Sequence, residues 1–323
     1  MADYRAIKGL TIQTVSSDPS NLVIGDIWYN STLGKLRGAK LAAGSWSTGG
    51  DINTTRFAGG SSGAAPRDTS LIFGGSGPGN KDETEEYDGS SWSEVGDLNT
   101  ARERNAGAGA TQTAALSFGG GVSPKQQTEL WNGTSWTEVS GDLNTGRAGH
   151  TGTGTSTAAL GSGGKIGENF QSIVEEYDGS SWTEKGDLST ARAYSGLTGI
   201  TTAALAFGGA SPYTVNTESF NGTSWTEENN LNTAKAYLEA SWGTQPASFV
   251  AGGYTSTVFV ATTEQYNGTS WTEVGDIPTA TGGGMGGGGS SSDGIYAGGQ
   301  VPSAVNETYE WSQAIAASNW DTT

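Results

Sequence analysis

Two different residue patterns recur along this chain with the same period of about 45 residues. Tryptophans follow one another at intervals of 43 to 49 residues, and Gly-Gly pairs at intervals of 44 to 46 residues. The tryptophans are Trp46, Trp92, Trp136, Trp182, Trp225, Trp271 and Trp320, and the pairs begin at Gly74, Gly119, Gly163, Gly208, Gly252 and Gly298. A period shared by two independent markers predicts a repeat architecture in which each unit packs against its neighbours.

Each repeat carries the signals of four short strands, which we name a to d in chain order. Strand a follows an Arg such as Arg102, strand b is an apolar run that ends in Gly-Gly, strand c carries an aromatic residue, and strand d begins at the Trp. An Asn-Gly or Asp-Gly turn separates c from d and is a strong hairpin signal. Four strands in 40 to 50 residues are typical of a β-propeller blade. No window shows helical periodicity with caps, so we expect essentially no helix.

These signals resemble the kelch repeat. The best matches are Leu71-Ile72-Phe73-Gly74-Gly75 with Tyr87 and Trp92, and Leu205-Ala206-Phe207-Gly208-Gly209 with Phe220 and Trp225. The resemblance covers about residues 51–311. It implies an all-β fold, a kelch-like β-propeller of four-stranded antiparallel blades, and says little about function.

The two ends of the chain are less regular than the middle. Six b strands but seven Trp-marked d strands can be counted, so we favour seven blades over six. In that interpretation residues 1–21 form an N-terminal arm and residues 22–323 the propeller. Residues 22–50 then form an irregular first blade or an attachment segment, and six kelch-like repeats occupy 51–323. The glycine-rich run 282–289 is interpreted as a loose inner strand.

Charge and composition exclude several kinds of function. The formal net charge is −17, which disfavours nucleic acid and anionic membranes as partners. There is no cysteine, one histidine and no apolar run of 18 residues, so we expect no cofactor, no metal site and no membrane insertion. The chain also begins without a segment typical of a secretory signal.

A basic residue recurs five positions after an acidic or amide residue. The basic residues are Arg56, Arg102, Arg147, Arg192 and Lys235, and their counterparts are Asp51, Asp97, Asp142, Asp187 and Asn230. We interpret each acid as the cap of the d–a turn and the partner of its own Arg. The alternative is an anion site formed by a ring of basic residues at the channel mouth.

Other polar residues are interpreted as structural rather than catalytic. Glutamates lie two residues after five tryptophans, and we expect them to be solvated charges on an edge strand, not the paired acids of a glycosidase. The single histidine, His150, is expected to have a structural or channel-lining role.

The segments between strands b and c vary in sequence and length while the rest of the repeat stays nearly constant. They span residues 76–82, 121–127, 165–173, 210–216, 254–262 and 300–305. Four aromatic residues in them, Phe170, Tyr213, Tyr254 and Phe259, are candidates for contacts with sugar rings or a protein partner. Variation without function is the competing interpretation.

Residues 25–37, with the sequence GDIWYNSTLGKLR, resemble a segment found in tail-fibre and other virion proteins of tailed bacteriophages, including marine phages. This resemblance implies a non-enzymatic virion appendage or decoration protein, made in the host bacterial cytoplasm. Its N-terminal segment would contact other virion proteins, and its propeller would bind a host-surface glycan or protein. Such an assembly also allows a homo-oligomer. The alternatives are a carbohydrate-active propeller enzyme and a bacterial kelch-type interaction module.

Overall fold

The computed structural model describes residues 12–121, 125–210 and 212–319, and this part of the chain is all-β apart from a 3-10 turn at Arg67–Thr69. No helix in these ranges is long and apolar enough to cross a membrane. The chain divides into two compact units: Met1–Ser45 with Gln313–Thr323, and Trp46–Ser312.

The smaller unit is built on one four-stranded sheet that joins the two ends of the chain. Its strands are β1 (Gln13–Val15), β2 (Ile27–Asn30), β3 (Lys35–Leu41) and β33 (Ile315–Asn319), in that order across the sheet. Strands β1 and β2 are parallel, whereas β3 pairs antiparallel with both β2 and β33. Asp18 stabilises this sheet by accepting hydrogen bonds from Trp28 Nε1 at 2.9 Å and Arg37 Nη2 at 2.6 Å.

The larger unit contains, within the described residues, six sheets that follow the repeat. The first five each consist of strands a to d. Sheet 1 is β5 (Gly60–Ser61), β6 (Leu71–Phe73), β9 (Thr84–Tyr87) and β10 (Trp92–Glu94); sheet 2 is β11 (Ala106–Thr111), β12 (Ala114–Phe118), β13 (Thr128–Trp131) and β14 (Trp136–Glu138). Sheet 3 is β15 (Thr151–Thr155), β16 (Ala158–Ser162), β19 (Val174–Tyr177) and β20 (Trp182–Glu184); sheet 4 is β21 (Gly196–Ile200), β22 (Ala203–Phe207), β23 (Thr217–Phe220) and β24 (Trp225–Glu228). Sheet 5 is β25 (Ser241–Thr244), β26 (Ala247–Ala251), β27 (Thr263–Tyr266) and β28 (Trp271–Val274).

Sheet 6 draws its outer strand from the other end of the unit. It consists of β29 (Asp293–Ala297), β32 (Thr308–Ser312) and β4 (Ser45–Thr48). The glycine-rich run supplies a loose inner strand, as predicted: Met285 and Ala297 exchange two backbone hydrogen bonds of 2.9 and 2.8 Å. Short hairpins occupy three of the b–c segments: β7 (Ser76–Gly77) with β8 (Gly79–Asn80), β17 (Lys165–Ile166) with β18 (Asn169–Phe170), and β30 (Gln300–Val301) with β31 (Ser303–Ala304).

Tryptophans at the start of the d strands hold neighbouring sheets together. The Trp136 indole packs on Phe73 of sheet 1 at 4.7 Å between ring centroids, and its Nε1 donates to Thr84 Oγ1 at 2.9 Å. Trp182 makes the same two contacts, with Phe118 and Thr128 of sheet 2. Because each Trp joins its own sheet to the preceding one, the core is a series of inter-sheet layers rather than one central mass.

A circuit of backbone hydrogen bonds connects the six repeats at their inner ends. In each repeat, one residue of the segment that leads into the inner strand has φ between 52° and 70°: Ala58, Arg104, Gly149, Tyr194, Tyr237 and Gly283. Each N–H donates to the carbonyl of its counterpart in the preceding repeat at 2.6–3.0 Å, except that Leu238 N–H is the donor to Tyr194, at 3.3 Å. The circuit closes because Ala58 N–H donates to Gly283. This arrangement of mostly four-stranded antiparallel sheets is consistent with a β-propeller.

The interpretation of residues 22–50 as a propeller blade of their own is wrong, whereas the alternative, an attachment segment, stays a prediction. Residues 27–41 belong to the separate sheet of the smaller unit, and β4 completes sheet 6 instead of a blade of its own. The favoured count of seven blades rested on one more d strand than b strands, and the strand marked by Trp46 is β4 of sheet 6. Trp320 lies outside the described residues. The physical reason is that β33, which follows strand c of the last repeat, pairs with β3. The outer edge of β32 is thus left for β4.

Candidate binding face

The recurring basic residues are buried and lie in ion pairs, but not with the predicted partners. Arg56, Arg102, Arg147, Arg192 and Lys235 have no exposed side-chain surface, and each pairs with the buried glutamate at the second position of strand c in the same sheet: Glu85, Glu129, Glu175, Glu218 and Glu264. The N–O distance is 2.5 Å in Arg192–Glu218 and 3.4 Å in Lys235–Glu264. The atoms of Arg102–Glu129 and Arg147–Glu175 lie closer together than this. Since solvent does not reach these cations, an anion site at the channel mouth is not formed by them.

The aspartates that were expected to pair with these cations have a different contact. Asp142 accepts a hydrogen bond from the N–H of Thr128 at 3.1 Å, and Asn230 accepts one from Thr217 N–H at 3.0 Å. They therefore fix the start of strand c. The glutamates after the tryptophans, such as Glu138 and Glu184, are exposed as predicted.

Three coordinated replacements in sheet 6 support the structural role of the ion pair. In sheet 2 the second Glu129 oxygen accepts hydrogen bonds from Asn99 N–H and Nδ2 at 2.7 and 2.9 Å. In sheet 6 the counterparts of Asn99, Arg102 and Glu129 are Pro278, Thr281 and Tyr309. Tyr309 Oη then donates to Thr279 Oγ1 at 2.8 Å. Both charges and the amide are replaced together, so no buried charge is left without a partner.

The predicted aromatic residues of the b–c segments lie in one cluster rather than on separate exposed loop tips. Tyr213 and Phe259 each contact Tyr254, with ring centroids 6.0 and 4.9 Å apart. Phe170 packs, half-buried, beside Tyr213 and Tyr237 on a small core of Ala193, Tyr194, Ala210 and Ala236. We call the surface formed by Phe170, Tyr194, Tyr213, Tyr237, Tyr254 and Phe259 the aromatic face.

Two members of the aromatic face and one cation were missed by the sequence interpretation. Tyr194 and Tyr237 stack at 4.7 Å with an interplanar angle of 21°, and Tyr237 contacts Tyr254 at 6.2 Å. The Arg104 guanidinium also lies over Tyr194, 5.7 Å from the ring centroid. All three occupy the same repeat position, two residues after the buried cation, and an alignment of the repeats at that position would have revealed them.

The circuit at the inner ends is asymmetric in its side chains. Three positions carry large side chains, Arg104, Tyr194 and Tyr237, and the others are Ala58, Gly149 and Gly283. A Cβ at Gly149 would lie 2.5 Å from Tyr194 Cε1, so the missing side chain there lets Tyr194 extend toward Arg104. Tyrosine in a left-handed conformation is a backbone outlier of the kind that clusters at functional sites.

The tyrosines of the aromatic face retain free hydrogen-bonding groups. The hydroxyls of Tyr194, Tyr213, Tyr237 and Tyr254 make no hydrogen bond with the described part of the chain. Burial raises the pKa of Tyr194 to about 12 and also raises the pKa of Tyr213 and Tyr237. The raised pKa keeps the hydroxyls of Tyr194, Tyr213 and Tyr237 protonated at neutral pH, so that they can donate to a ligand.

A narrow cavity between the inner strands holds several polar groups without partners. Its volume is about 30 Å³, room for one or two water molecules. Among its lining residues are His150, Asn105 and Glu239, and both His150 ring nitrogens, Asn105 Oδ1 and Glu239 Oε2 lack a hydrogen-bond partner in the described ranges. Burial, and then the nearby Arg147, hold the pKa of His150 well below its usual value. His150 thus lines this cavity, in agreement with the predicted structural or channel-lining role.

Glu239 is expected to make stability depend on pH. Burial raises its pKa from 4.5 to about 7, although Arg104 favours the charged form. The folded state thus holds this proton more tightly than the unfolded chain, and the stability that Glu239 contributes falls as pH rises from about 4.5 to 7. Glu239→Gln should raise the melting temperature relative to wild type more at pH 8 than at pH 5. An equal difference at both pH values, as expected for the exposed control Glu138→Gln, would contradict this assignment.

Among the described residues lining the cavity, Glu239 has the sole carboxyl group, and no group of three His, Asp or Glu side chains in the described ranges is placed to hold a metal ion. No protein-family model matches the chain, and no curated protein matches it significantly.

Proposed function

We propose that this chain is a non-enzymatic binding protein whose larger unit is a six-bladed, kelch-like propeller. The fold part of the proposal is supported by six sheets that share one repeat and by the closed hydrogen-bond circuit. The placement of strands b and c adds support, since every b–c segment leaves its sheet at the Gly-Gly end and variable loops gather on one face.

The ligand of this face is a saccharide or a protein surface, and the observation that carries the proposal is the aromatic face. Tyr213, Tyr237 and Tyr254 are half-buried, so packing holds their rings in place, yet their hydroxyls have no partner in the described part of the chain. Aromatic rings that packing already holds in place can bury apolar surface of a ligand at low entropic cost. Free hydroxyls add directional hydrogen bonds to that ligand.

We also propose that the protein is a virion component of a tailed phage, attached through its smaller unit. The support is the resemblance of residues 25–37 together with the surface of that unit. Val23 and Ile24, adjacent in sequence, are 63% and 58% exposed, and neighbouring exposed apolar side chains are a feature of interaction surfaces. The protein list of a purified virion tests the location, since absence from the particle would favour the bacterial interaction module instead.

Removing two rings of the aromatic face should weaken recognition without unfolding the protein. For Tyr213→Ala/Tyr254→Ala we expect at least about tenfold weaker binding, because buried aromatic anchors each contribute about 1 kcal/mol or more. Binding is measured on a saccharide array and by competition for phage adsorption to host cells, with the melting temperature as a check on folding.

A matched control lies in the c–d turns. Asn221 Oδ1 accepts hydrogen bonds from Thr223 and Ser224 N–H, and Asp88 makes the same contacts in sheet 1. Asn221→Asp should therefore fold and bind like wild type. Loss of binding in this variant, with retention in the double variant, would assign recognition to the opposite face. A saccharide turned over by the protein would support the rival enzyme.

A further inference from the structure

Arg104 differs from the other described arginines because it has no ion-pair partner. Arg37, Arg56, Arg67, Arg102, Arg147 and Arg192 each lie within 4 Å of a carboxylate. Arg104 has no such contact, and its buried Nε atom has no hydrogen-bond partner in the described ranges. Its terminal nitrogens are neither buried nor bonded there, so they can reach a ligand.

The guanidinium is also held in place before any ligand arrives. Its backbone is fixed by the hydrogen-bond circuit in a left-handed conformation, with φ 55°. Its side chain lies over Tyr194, which is 5% exposed and packed on Tyr237. A planar, preorganised guanidinium that keeps its donors free is suited to a carboxylate, which it can contact with two parallel hydrogen bonds.

The surroundings favour one carboxylate on a sugar over other anions. The chain carries a net charge of −17, so a highly charged ligand is repelled, and a phosphate group would normally be met by several cations. Next to Arg104, the aromatic face offers ring surfaces and free hydroxyls. Beneath it, Asn105 and His150, only 3% and 2% exposed, direct unpartnered polar atoms into the cavity.

We infer that Arg104 and the aromatic face together bind saccharides that carry a carboxylate group, with Arg104 pairing with the carboxylate and Tyr237 and Tyr254 contacting the sugar ring. The inference rests on the proposed function and adds the class of ligand to it. The Arg104 charge favours the ionised form of the Glu239 carboxyl group, but these two side chains form no ion pair. The guanidinium therefore remains available to a ligand.

The test compares each acidic sugar with a neutral form of the same sugar. The probes are 3′-sialyllactose and galacturonic acid, which carry one carboxylate each, as the free acid and as the carboxyl methyl ester, titrated against the full chain by calorimetry. We expect at least one acid to bind at least tenfold more tightly than its ester, and Arg104→Gln to remove that preference. Arg67→Gln, which removes an ion-paired cation elsewhere, should retain it.

Each outcome has a separate meaning. Esters that bind as well as acids, or an acid preference that survives in Arg104→Gln, would overturn the inference and leave saccharide recognition standing. Failure of the chain to bind any saccharide on the array would overturn the saccharide form of the proposed function as well. If Arg104→Gln does not fold, the salt dependence of the wild type decides: about 500 mM NaCl should weaken acid binding severalfold relative to about 50 mM and leave ester binding unchanged.

Discussion

Glu129→Gln is expected to lower the free energy of unfolding by about 3–5 kcal/mol, because it leaves the Arg102 guanidinium buried without a counter-charge. Both side chains are fully buried, and Arg102 Nη2 donates to Glu129 Oε1. Glutamine keeps the size of the side chain but presents a neutral amide to the cation. Urea unfolding of the wild type and the variant measures the difference.

Sheet 6 provides the compensating change. In Asn99→Pro/Arg102→Thr/Glu129→Tyr, sheet 2 receives the three residues found at Pro278, Thr281 and Tyr309, and Thr100 occupies the position of Thr279. We expect this triple variant to recover at least half of the loss, since it buries no unpaired charge. The exposed control Glu138→Gln should change stability by less than about 0.5 kcal/mol. A loss below about 1 kcal/mol in Glu129→Gln would show that the pair is not sequestered from water.

Gly120→Val is expected to cost about 3 kcal/mol through backbone strain and crowding together. Gly120 has φ 94°, and a Cβ added there would lie 2.7 Å from the Glu103 carbonyl oxygen and 2.9 Å from Asn105 Cα. Both contacts are with backbone atoms of the segment that precedes the inner strand, so they cannot be relieved by a side-chain rotation.

Gly63→Val is the matched control for this prediction. Its φ is outside the left-handed region, and a Cβ there meets no atom within 4 Å. The control should melt within a few degrees of wild type, whereas Gly120→Val should melt well below it. Equal melting temperatures would mean that the second glycine of the pair is not required by the geometry at the end of strand b.

The sequence predicted those features of the fold that are local and repeated. The apolar run 114–118, the Asn132-Gly133 turn and Trp136 each fix their own conformation, and the strands were found where these signals lie. The use of β4 in sheet 6 could not be predicted, because Trp46 marks a d strand without indicating which c strand it pairs with. That pairing depends on where β33 goes, at the far end of the chain.

The buried ion pairs illustrate the same limit at the level of side chains. Asp97 is five residues from Arg102 and Glu129 is 27 residues away, so proximity along the chain pointed to the aspartate. The fold reverses this order, because strand c lies beneath the segment that leads into strand a. Likewise, Phe170, Tyr213 and Tyr254 were identified one by one, but their convergence with Tyr194 and Tyr237 depends on how three repeats meet.

The most direct test of the central claim, that the aromatic face is the recognition surface, is hydrogen–deuterium exchange with and without the best-binding saccharide of the array. We expect slower exchange in residues 165–173, 212–216, 236–239 and 254–262, and unchanged exchange in the c–d turns at 88–91, 132–135 and 221–224. Protection confined to those turns, under conditions where calorimetry shows the ligand bound, would contradict it.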